Sequence, residues 1–87
     1  MKEIKFARLF ELHYKARIAR DENLRRAYRE SVETFQHDRA AVGNHELKGE
    51  MAQLNAFWIT EDYRVVYRET PDSIVFIDVG THDEVYY

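Results

Sequence analysis

The sequence contains no cysteine, which excludes disulfides and thiolate metal sites. It has one proline and three glycines, and no glycine-rich loop that would cradle a phosphate. No spacing of histidines and carboxylates matches a known zinc motif, and no serine stands in a nucleophile motif. Uninterrupted apolar runs such as AFWI and IVFI are too short to cross a bilayer. We therefore expect no metal, no cofactor and no membrane-spanning segment.

The length and composition are those of a small folded protein. Apolar residues make up 45% and aromatic residues 14% of the 87 residues. We expect residues 1–87 to form a single domain, which buries only roughly 60–65% of its unfolded surface and would gain stability from a partner. The start, MKEIKFARLF, lacks the apolar core of a signal peptide, so the expected location is cytoplasmic.

Charge is distributed unevenly along the chain, whose formal net charge is −3. Residues 1–49 contain 11 Lys and Arg against 8 Asp and Glu, whereas residues 50–87 contain 2 against 8. Nucleic-acid binders are usually basic, so composition alone argues mildly against RNA binding. Any RNA contact is expected to involve the basic half together with Arg64 and Arg68.

Two amphipathic helices are predicted in the first half. Between Ala7 and Arg20 large apolar residues recur every four positions. Asp21 breaks this run and is a favourable N-cap for a second helix that ends near Asp38. The near absence of a connecting loop suggests an antiparallel helical hairpin. The apolar stripes consist of Phe6, Phe10, Tyr14 and Ile18 in the first helix and Leu24, Tyr28, Val32 and Phe35 in the second.

Strand patterns dominate the rest of the sequence. KEIKF precedes the helices, and NAFWIT, DYRVVYRE and SIVFIDV follow them, the last strand stopping at Gly80. HELKG is ambiguous, and TPDS forms a turn around Pro71. The predicted order is β-α-α-β-β-β, an α+β fold in which an antiparallel sheet packs one face on the helical hairpin.

The predicted hairpin register raises a question about Arg64. A three-residue loop at 70–72 places Arg64 opposite Asp78 and brings Asp62 near His82. Arg64 then forms a cross-strand salt bridge worth about 0.2–1 kcal/mol. An arginine held by a carboxylate on an open sheet is equally a pre-oriented phosphate ligand. A slip of one residue would reverse these faces.

Several residues could carry chemistry, although each has a plainer interpretation. Beyond the last strand, His82 is suited to proton transfer or is a solvent-exposed tail histidine, and Tyr86 and Tyr87 could simply cap the core. His45 is a candidate base or a loop histidine. Lys48 could contact a phosphate or only solvent. Trp58 is expected in the core, although a tryptophan at a sheet edge can stack on a base.

The segment from Asn44 to Tyr86 resembles the RelE/ParE superfamily of type II toxin–antitoxin toxins, above all its RelE/YafQ mRNA interferase branch. DYRVVY followed by VGTHDEVY is a fairly specific pair of signatures, and HELKG is similar to the H-x-L-x-G segment of YafQ-like members. The order of elements extends the resemblance to the whole chain. It implies a RelE-like fold and a metal-independent ribonuclease that cuts mRNA in the ribosomal 30S A site.

The resemblance also implies residue roles for attack of a ribose 2′-OH on the adjacent phosphorus. It makes His45 the candidate general base and His82 the general acid, and Asp62 would either assist the base or orient His82. Arg64 would stabilise the phosphorane, and Tyr86 would stack on the nucleotide or orient it. The implied catalytic set is therefore His45, Asp62, Arg64, His82 and Tyr86, and the implied RNA-binding set is Lys48, Arg68 and Trp58.

The sequence departs from the family pattern at two positions. Asp78 stands where YafQ-like members carry a basic residue, and Trp58 where some have histidine. The expected partners are a cognate antitoxin, in a hetero-oligomeric complex, and the ribosome with its mRNA. Two alternatives remain open: a ParE-like inhibitor of DNA gyrase, and a catalytically weak member that only binds an antitoxin.

Overall fold

The computed structural model describes residues 2–86. Helix α1 spans Arg8–Arg17 and helix α2 spans Glu22–His37. As predicted, Asp21 caps α2: its Oδ1 accepts hydrogen bonds from the backbone amides of Asn23 and Leu24, at 2.9 and 3.1 Å. This cap pairs two of the donors that the first turn of a helix leaves free. None of the helices within residues 2–86 has the length and apolar character that crossing a membrane requires.

Five strands form one sheet: β1 (Glu3–Phe6), β2 (His45–Glu46), β3 (Asn55–Trp58), β4 (Tyr63–Glu69) and β5 (Ser73–Thr81). Their order across the sheet is β1-β5-β4-β3-β2. The predicted α+β class and the antiparallel meander β3-β4-β5 are confirmed. The sheet as a whole is mixed, because β1 joins it parallel to β5. A short helix, α3 (His82–Val85), follows β5 and was not predicted.

The main core lies between the sheet and the two long helices. Alternate residues of β3, β4 and β5 point towards the helices, and aromatic rings dominate the contact. Phe35 of α2 stacks on Phe57 of β3 with ring centroids 4.4 Å apart, and both are buried. Each buried side chain of this size contributes about 1.5–3 kcal/mol to stability. The core explains why Phe57 faces inward and its neighbour Trp58 faces outward.

The pairing of β4 with β5 differs from the prediction. Arg64 lies opposite Gly80, and Asp78 lies opposite Val66, so the predicted pair of Arg64 and Asp78 is wrong. Two shifts of one residue combine here: Glu69 pairs with Ile74 and not with Ser73, and a bulge in the middle of β5 adds one more residue to that strand, which continues through Gly80 to Thr81. The hydrophobic pattern does not reveal this bulge, because β5 is apolar on both of its faces.

Glu69 at the end of β4 joins three parts of the chain. Its carboxylate accepts a hydrogen bond from Lys2 Nζ at 2.9 Å and bonds from two Arg39 nitrogens at 2.8 and 2.9 Å. The Arg39 hydrogen bonds, followed by the Lys2 bond, lower the pKa of Glu69 from 4.5 to about 2. Folding therefore favours the ionised carboxylate.

The Glu69 cluster predicts a loss of stability in acid. Because the folded pKa lies below the unfolded one, the contribution is complete above pH 4.5 and disappears as pH falls towards 2. Lys2 and Arg39 are partly solvated, so screening limits it to about 1–2 kcal/mol. Thermal unfolding should show Glu69→Gln less stable than wild type at pH 6 and equal to it at pH 2. The exposed Asp72→Asn is the control, and a constant difference across this range would contradict the assignment.

Candidate active site

One face of the sheet, turned away from the main core, carries most of the candidate site residues. Paired residues of antiparallel strands lie on the same face, as do residues two apart in a strand. His45 pairs with Ala56, and Trp58 pairs with Arg64. Because Ala56 lies two residues before Trp58, all four share one face. We call this the open face, and its functional candidates are His45, Trp58, Arg64 and Arg68.

Helix α3 covers one end of the open face. Thr81 and Glu84 form a capping box at its start, in which the Thr81 amide donates to Glu84 Oε1 at 2.7 Å. Val85 is buried in a small apolar cluster on the same face. The His82 amide donates to the backbone carbonyl of Asp62 at 3.1 Å. The predicted proximity of Asp62 and His82 is therefore confirmed at the level of the backbone.

His82 and Tyr86 form an edge-to-face pair, with ring centroids 4.5 Å apart. Tyr87 lies outside the described residues. The His82 side chain is exposed, whereas the hydroxyl oxygen of Tyr86 is buried and has no acceptor for its proton within residues 2–86. Burial raises the pKa of Tyr86, and the nearby positive charge of Arg64 partly offsets this rise. The Tyr86 hydroxyl is thus a neutral donor that lies near Arg64 and lacks an acceptor in the described chain.

Arg64 is held by backbone carbonyls and not by an acid. Its Nη1 donates to the carbonyls of Thr60, Glu61 and Tyr63, at 2.9, 2.6 and 3.2 Å. Among residues 2–86, no carboxylate lies within 4.0 Å of the guanidinium. The guanidinium carbon lies 5.5 Å from the Trp58 ring, within the range of a cation–π contact. Arg64 therefore has a fixed position and an uncompensated charge, as a phosphate ligand requires.

Trp58 lies between Arg64 and His45. The expectation that Trp58 belongs to the core is wrong, because 46% of the residue is exposed. Its ring packs against Gly43, whose backbone has φ of 64°. The carbonyl of Gly43 accepts a hydrogen bond from Nδ1 of His45 at 2.9 Å. With the Nδ1 proton used in this bond, Nε2 of His45 keeps a free lone pair that can accept a proton.

An open cleft of about 460 Å³ lies beside this row, lined by Trp58, Glu61, Asp62 and Arg64. The carboxylate of Asp62 is exposed and forms no ion pair with another residue of the described chain. The cleft combines an aromatic face, a fixed cation and acceptor oxygens. These are groups that hold the base and the phosphate of a nucleotide.

Asp78 lies on the open face, opposite Val66, but its carboxylate is engaged by helix α1. It is buried, and its Oδ1 lies 2.6 Å from Nδ1 of His13 and 3.6 Å from Nη1 of Arg17, both on α1. Its negative charge is therefore met by side chains of α1. Although Asp78 shares this face with Arg64, its carboxylate does not lie within 4.0 Å of the Arg64 guanidinium.

The remaining candidates lie apart from the row. Arg68 is on the open face but four residues beyond Arg64, which is about 13 Å along the strand. Lys48 is exposed just after β2. No group of three or more His, Asp and Glu side chains within residues 2–86 is arranged to hold a metal ion.

Two residues next to the site were missed from the sequence. Glu84 caps α3 and contacts Arg17 of α1, with Nε and Oε2 3.5 Å apart. The T-x-x-E pattern from Thr81 to Glu84 is a capping-box signature, so it could have predicted α3. Arg17 has no such signal, because its contacts lie more than 60 residues away.

The structure matches those of solved toxins at low sequence identity. A histidine-to-glutamine mutant of YafQ from E. coli matches with a TM-score of 0.81 at 14% identity, over the whole of both chains. The E. coli DinJ–YafQ complex gives 0.79 at 15% identity, also over the whole of both chains. A YoeB/ParE toxin from Agrobacterium tumefaciens gives 0.74 at 19% identity, over 92% of this chain and 98% of that chain. These similarities establish a shared fold.

The sequence itself matches a family model over residues 2–87, described as the bacterial toxin YafQ of type II toxin–antitoxin systems. No curated protein sequence matches. The family match includes every residue of the open face and of α3. The chain therefore belongs to the YafQ family of bacterial type II toxin–antitoxin toxins.

Proposed function

We propose that this toxin is an endoribonuclease that cleaves mRNA in the ribosomal A site by attack of a ribose 2′-OH. The observation that supports this most directly is the position of Arg64. Its guanidinium has no acidic partner among residues 2–86, and it lies near both an exposed indole and the buried hydroxyl of Tyr86. A fixed cation beside an aromatic face suits a phosphodiester whose neighbouring base stacks.

The proposed reaction transfers two protons. Nε2 of His45 removes the 2′-OH proton as the oxygen attacks phosphorus, and Asp62 assists this base. The bond from phosphorus to the 5′-oxygen breaks, and His82 donates a proton to that oxygen. The products are a 2′,3′-cyclic phosphate and a 5′-OH end. Base and acid each contribute roughly 10²–10⁴-fold to such a reaction.

Arg64 and Tyr86 act on the phosphorus centre in this scheme. The charge on the phosphorane rises in the transition state, where a pre-positioned guanidinium stabilises it more than it stabilises the substrate. Arg64 supplies the positive charge that a metal ion would otherwise provide. Tyr86 packs against the His82 ring and offers its hydroxyl to the same region.

Trp58, Lys48 and Arg68 would bind the RNA on either side of the cut. The exposed indole of Trp58 stacks on a base, a contact worth about 1–3 kcal/mol. Lys48 and Arg68 lie further along the protein and would contact neighbouring phosphates, not the scissile one.

The ribosome would position the mRNA for this acidic chain, which is not expected to bind free RNA tightly. At a net charge of −3, the free protein is expected to bind RNA weakly. The 30S A site holds mRNA in one orientation, so it supplies the positioning that the toxin need not create. The proposed reaction therefore takes place in the cytoplasm, on translating ribosomes.

The proposed protein partner is a cognate antitoxin in a hetero-oligomeric complex. The E. coli YafQ whose fold matches was solved together with DinJ. In this chain Phe6, Leu9 and Leu12 are 41–53% exposed, around β1 and α1. An antitoxin segment that covers these side chains would stabilise a chain too small to bury them itself.

The test is cleavage of a short mRNA in the A site of purified ribosomes, with wild type, Arg64→Ala and Arg26→Ala. We expect wild type to cut within the A-site codon, and Arg64→Ala to be at least about 100-fold slower. Arg26 is the control because it is an exposed arginine on α2 in a weak pair with Glu22.

Equal rates for wild type and Arg64→Ala would contradict the role of this residue. If wild type does not cleave but inhibits DNA gyrase, the ParE-like alternative is correct. If wild type shows neither RNA cleavage nor gyrase inhibition, the chain is a member that only binds its antitoxin.

A further inference from the structure

Helix α3 carries His82 and leads directly to Tyr86, yet it spans only four residues. A helix of this length is not stable by itself, because forming its first turn costs more free energy than the turn returns. Its position must therefore come from contacts with the rest of the chain. Val85 supplies an apolar anchor, and the His82 amide bonds to the 60–62 turn. The remaining polar contact is made by Glu84.

Glu84 links α3 to helix α1. One carboxylate oxygen accepts the Thr81 amide, and this bond lowers the pKa of Glu84. The other oxygen lies 3.5 Å from Nε of Arg17. Glu84 is thus both the cap of α3 and the point where α1 contacts that helix.

Arg17 is itself fixed by β5. Its Nη1 donates to the carbonyl of Val79 at 2.9 Å and lies 3.6 Å from Oδ1 of the buried Asp78. Asp78 is also held by His13, at 2.6 Å. A planar guanidinium can make these three contacts at once, whereas a lysine ammonium cannot.

Gly80 provides the space for this arrangement. A Cβ atom at this position would lie 2.7 Å from Nη1 of Arg17 and 2.8 Å from Oε1 of Glu84. Any larger residue would displace the guanidinium or the carboxylate. Since Gly80 pairs with Arg64 on β4, the contact between Arg17 and Glu84 lies directly beside the candidate active site.

We propose that Arg17 and Glu84 are positioning residues that fix α3, and with it His82 and Tyr86, relative to Arg64. They act through the peptide units of α3 and not through contact with the RNA. The effect on catalysis rests on the proposed function, whereas the effect on the position of α3 does not. The two are therefore measured separately.

The central variant is Glu84→Gln, which keeps an oxygen to accept the Thr81 amide but removes the charge that faces Arg17. Glu84→Ala removes both interactions. Glu22→Gln is the matched control, because it abolishes an exposed pair with Arg26 on α2. The Glu84 side chain is 40% exposed, so we expect these variants to stay folded.

Two readouts are independent of any ribonuclease activity. The first is amide hydrogen exchange at Tyr86, whose N–H donates to the carbonyl of His82 at 3.0 Å. It should become about two- to five-fold faster in Glu84→Gln and faster still in Glu84→Ala. The second is the NMR shift of the His82 ring protons, which depends on the edge-to-face contact with Tyr86. A general loss of stability would leave this native-state shift unchanged.

The third readout is single-turnover cleavage on ribosomes, which should slow in the same order as the exchange increases. Unchanged exchange and an unchanged His82 shift in both Glu84 variants would overturn the proposal. If both change while wild type itself does not cleave RNA, the positioning role holds and the proposed function fails. If both change, wild type cleaves RNA and the Glu84 variants cleave at the same rate, then Arg17 and Glu84 fix α3 without serving catalysis. The proposed effect on catalysis is then overturned.

Discussion

Replacing His82 with alanine is expected to lower the single-turnover rate of A-site mRNA cleavage by about 10²–10⁴-fold, the usual contribution of a general acid. Without the imidazole, the 5′-oxygen must leave as an alkoxide or take its proton from water. The expected change in stability is small, at most about 0.5 kcal/mol, because the His82 side chain is 64% exposed. In this variant the cleavage rate should therefore fall strongly while the unfolding temperature stays close to that of wild type.

The matched control is His37→Ala, an exposed histidine in the last turn of α2. Cleavage should be measured with saturating toxin, so that binding to the ribosome does not limit the rate. A His82→Ala rate within about three-fold of wild type would remove His82 from the mechanism, since that difference is far below what a general acid contributes. A rate lost equally in both variants would point to misfolding.

Gly43→Ala is expected to cause the largest change in stability and also to disturb the site. A Cβ atom at Gly43 would lie 2.5–2.7 Å from three carbons of the Trp58 ring, so the indole must move. The left-handed backbone, with φ of 64°, adds a cost for any residue other than glycine. Together these effects should lower the free energy of unfolding by about 2–4 kcal/mol.

Gly49 gives the control, because it has nearly the same φ of 68° but no atom within 4 Å of its Cβ position. Gly49→Ala should therefore cost only the backbone term, about 1–2 kcal/mol. Chemical denaturation measures both costs, and tryptophan fluorescence reports on the only indole in the chain. Equal losses in the two variants, with unchanged fluorescence, would show that Trp58 does not pack on Gly43.

Local patterns predicted the helical half of the fold well. Asp21 was recognised as an N-cap because a short acceptor side chain before an apolar period has a known physical role, and the structure confirms it. The stripe of α2 was predicted for the same reason, and Phe35 is buried. Such features depend on residues within one or two turns of each other, and the sequence displays them directly.

The register of β4 and β5 could not be predicted in this way. The alternation of apolar and polar residues fixes a register only where one face of a strand is polar, and IVFIDV offers no such face. The error moved Arg64 by two residues and paired it with Asp78. The expectation of a core Trp58 was a separate error, made from the residue type, and the inward position belongs to Phe57.

The site was predicted as a set of residue types and not as an arrangement. The resemblance supplied His45, Arg64, His82 and Tyr86, and the structure brings Arg64 near Tyr86 and Tyr86 against His82. The supporting contacts of Arg17 were invisible, because they join α1 to residues at the other end of the chain. No local pattern encodes a contact of that range.

The pairing of β1 with β5 has a consequence for the order in which the protein folds during synthesis. Glu3 pairs with Ser73, so the first strand can join β5, its one neighbour among the strands of residues 2–86, only after 70 further residues have been synthesised. At 5–20 residues per second this interval is roughly 4–14 s. Arg17 likewise cannot form its contacts with Val79 and Glu84 until those residues have been synthesised. The complete sheet, and the contacts of Arg17 beside the site, therefore form only after β5 and α3 have been synthesised.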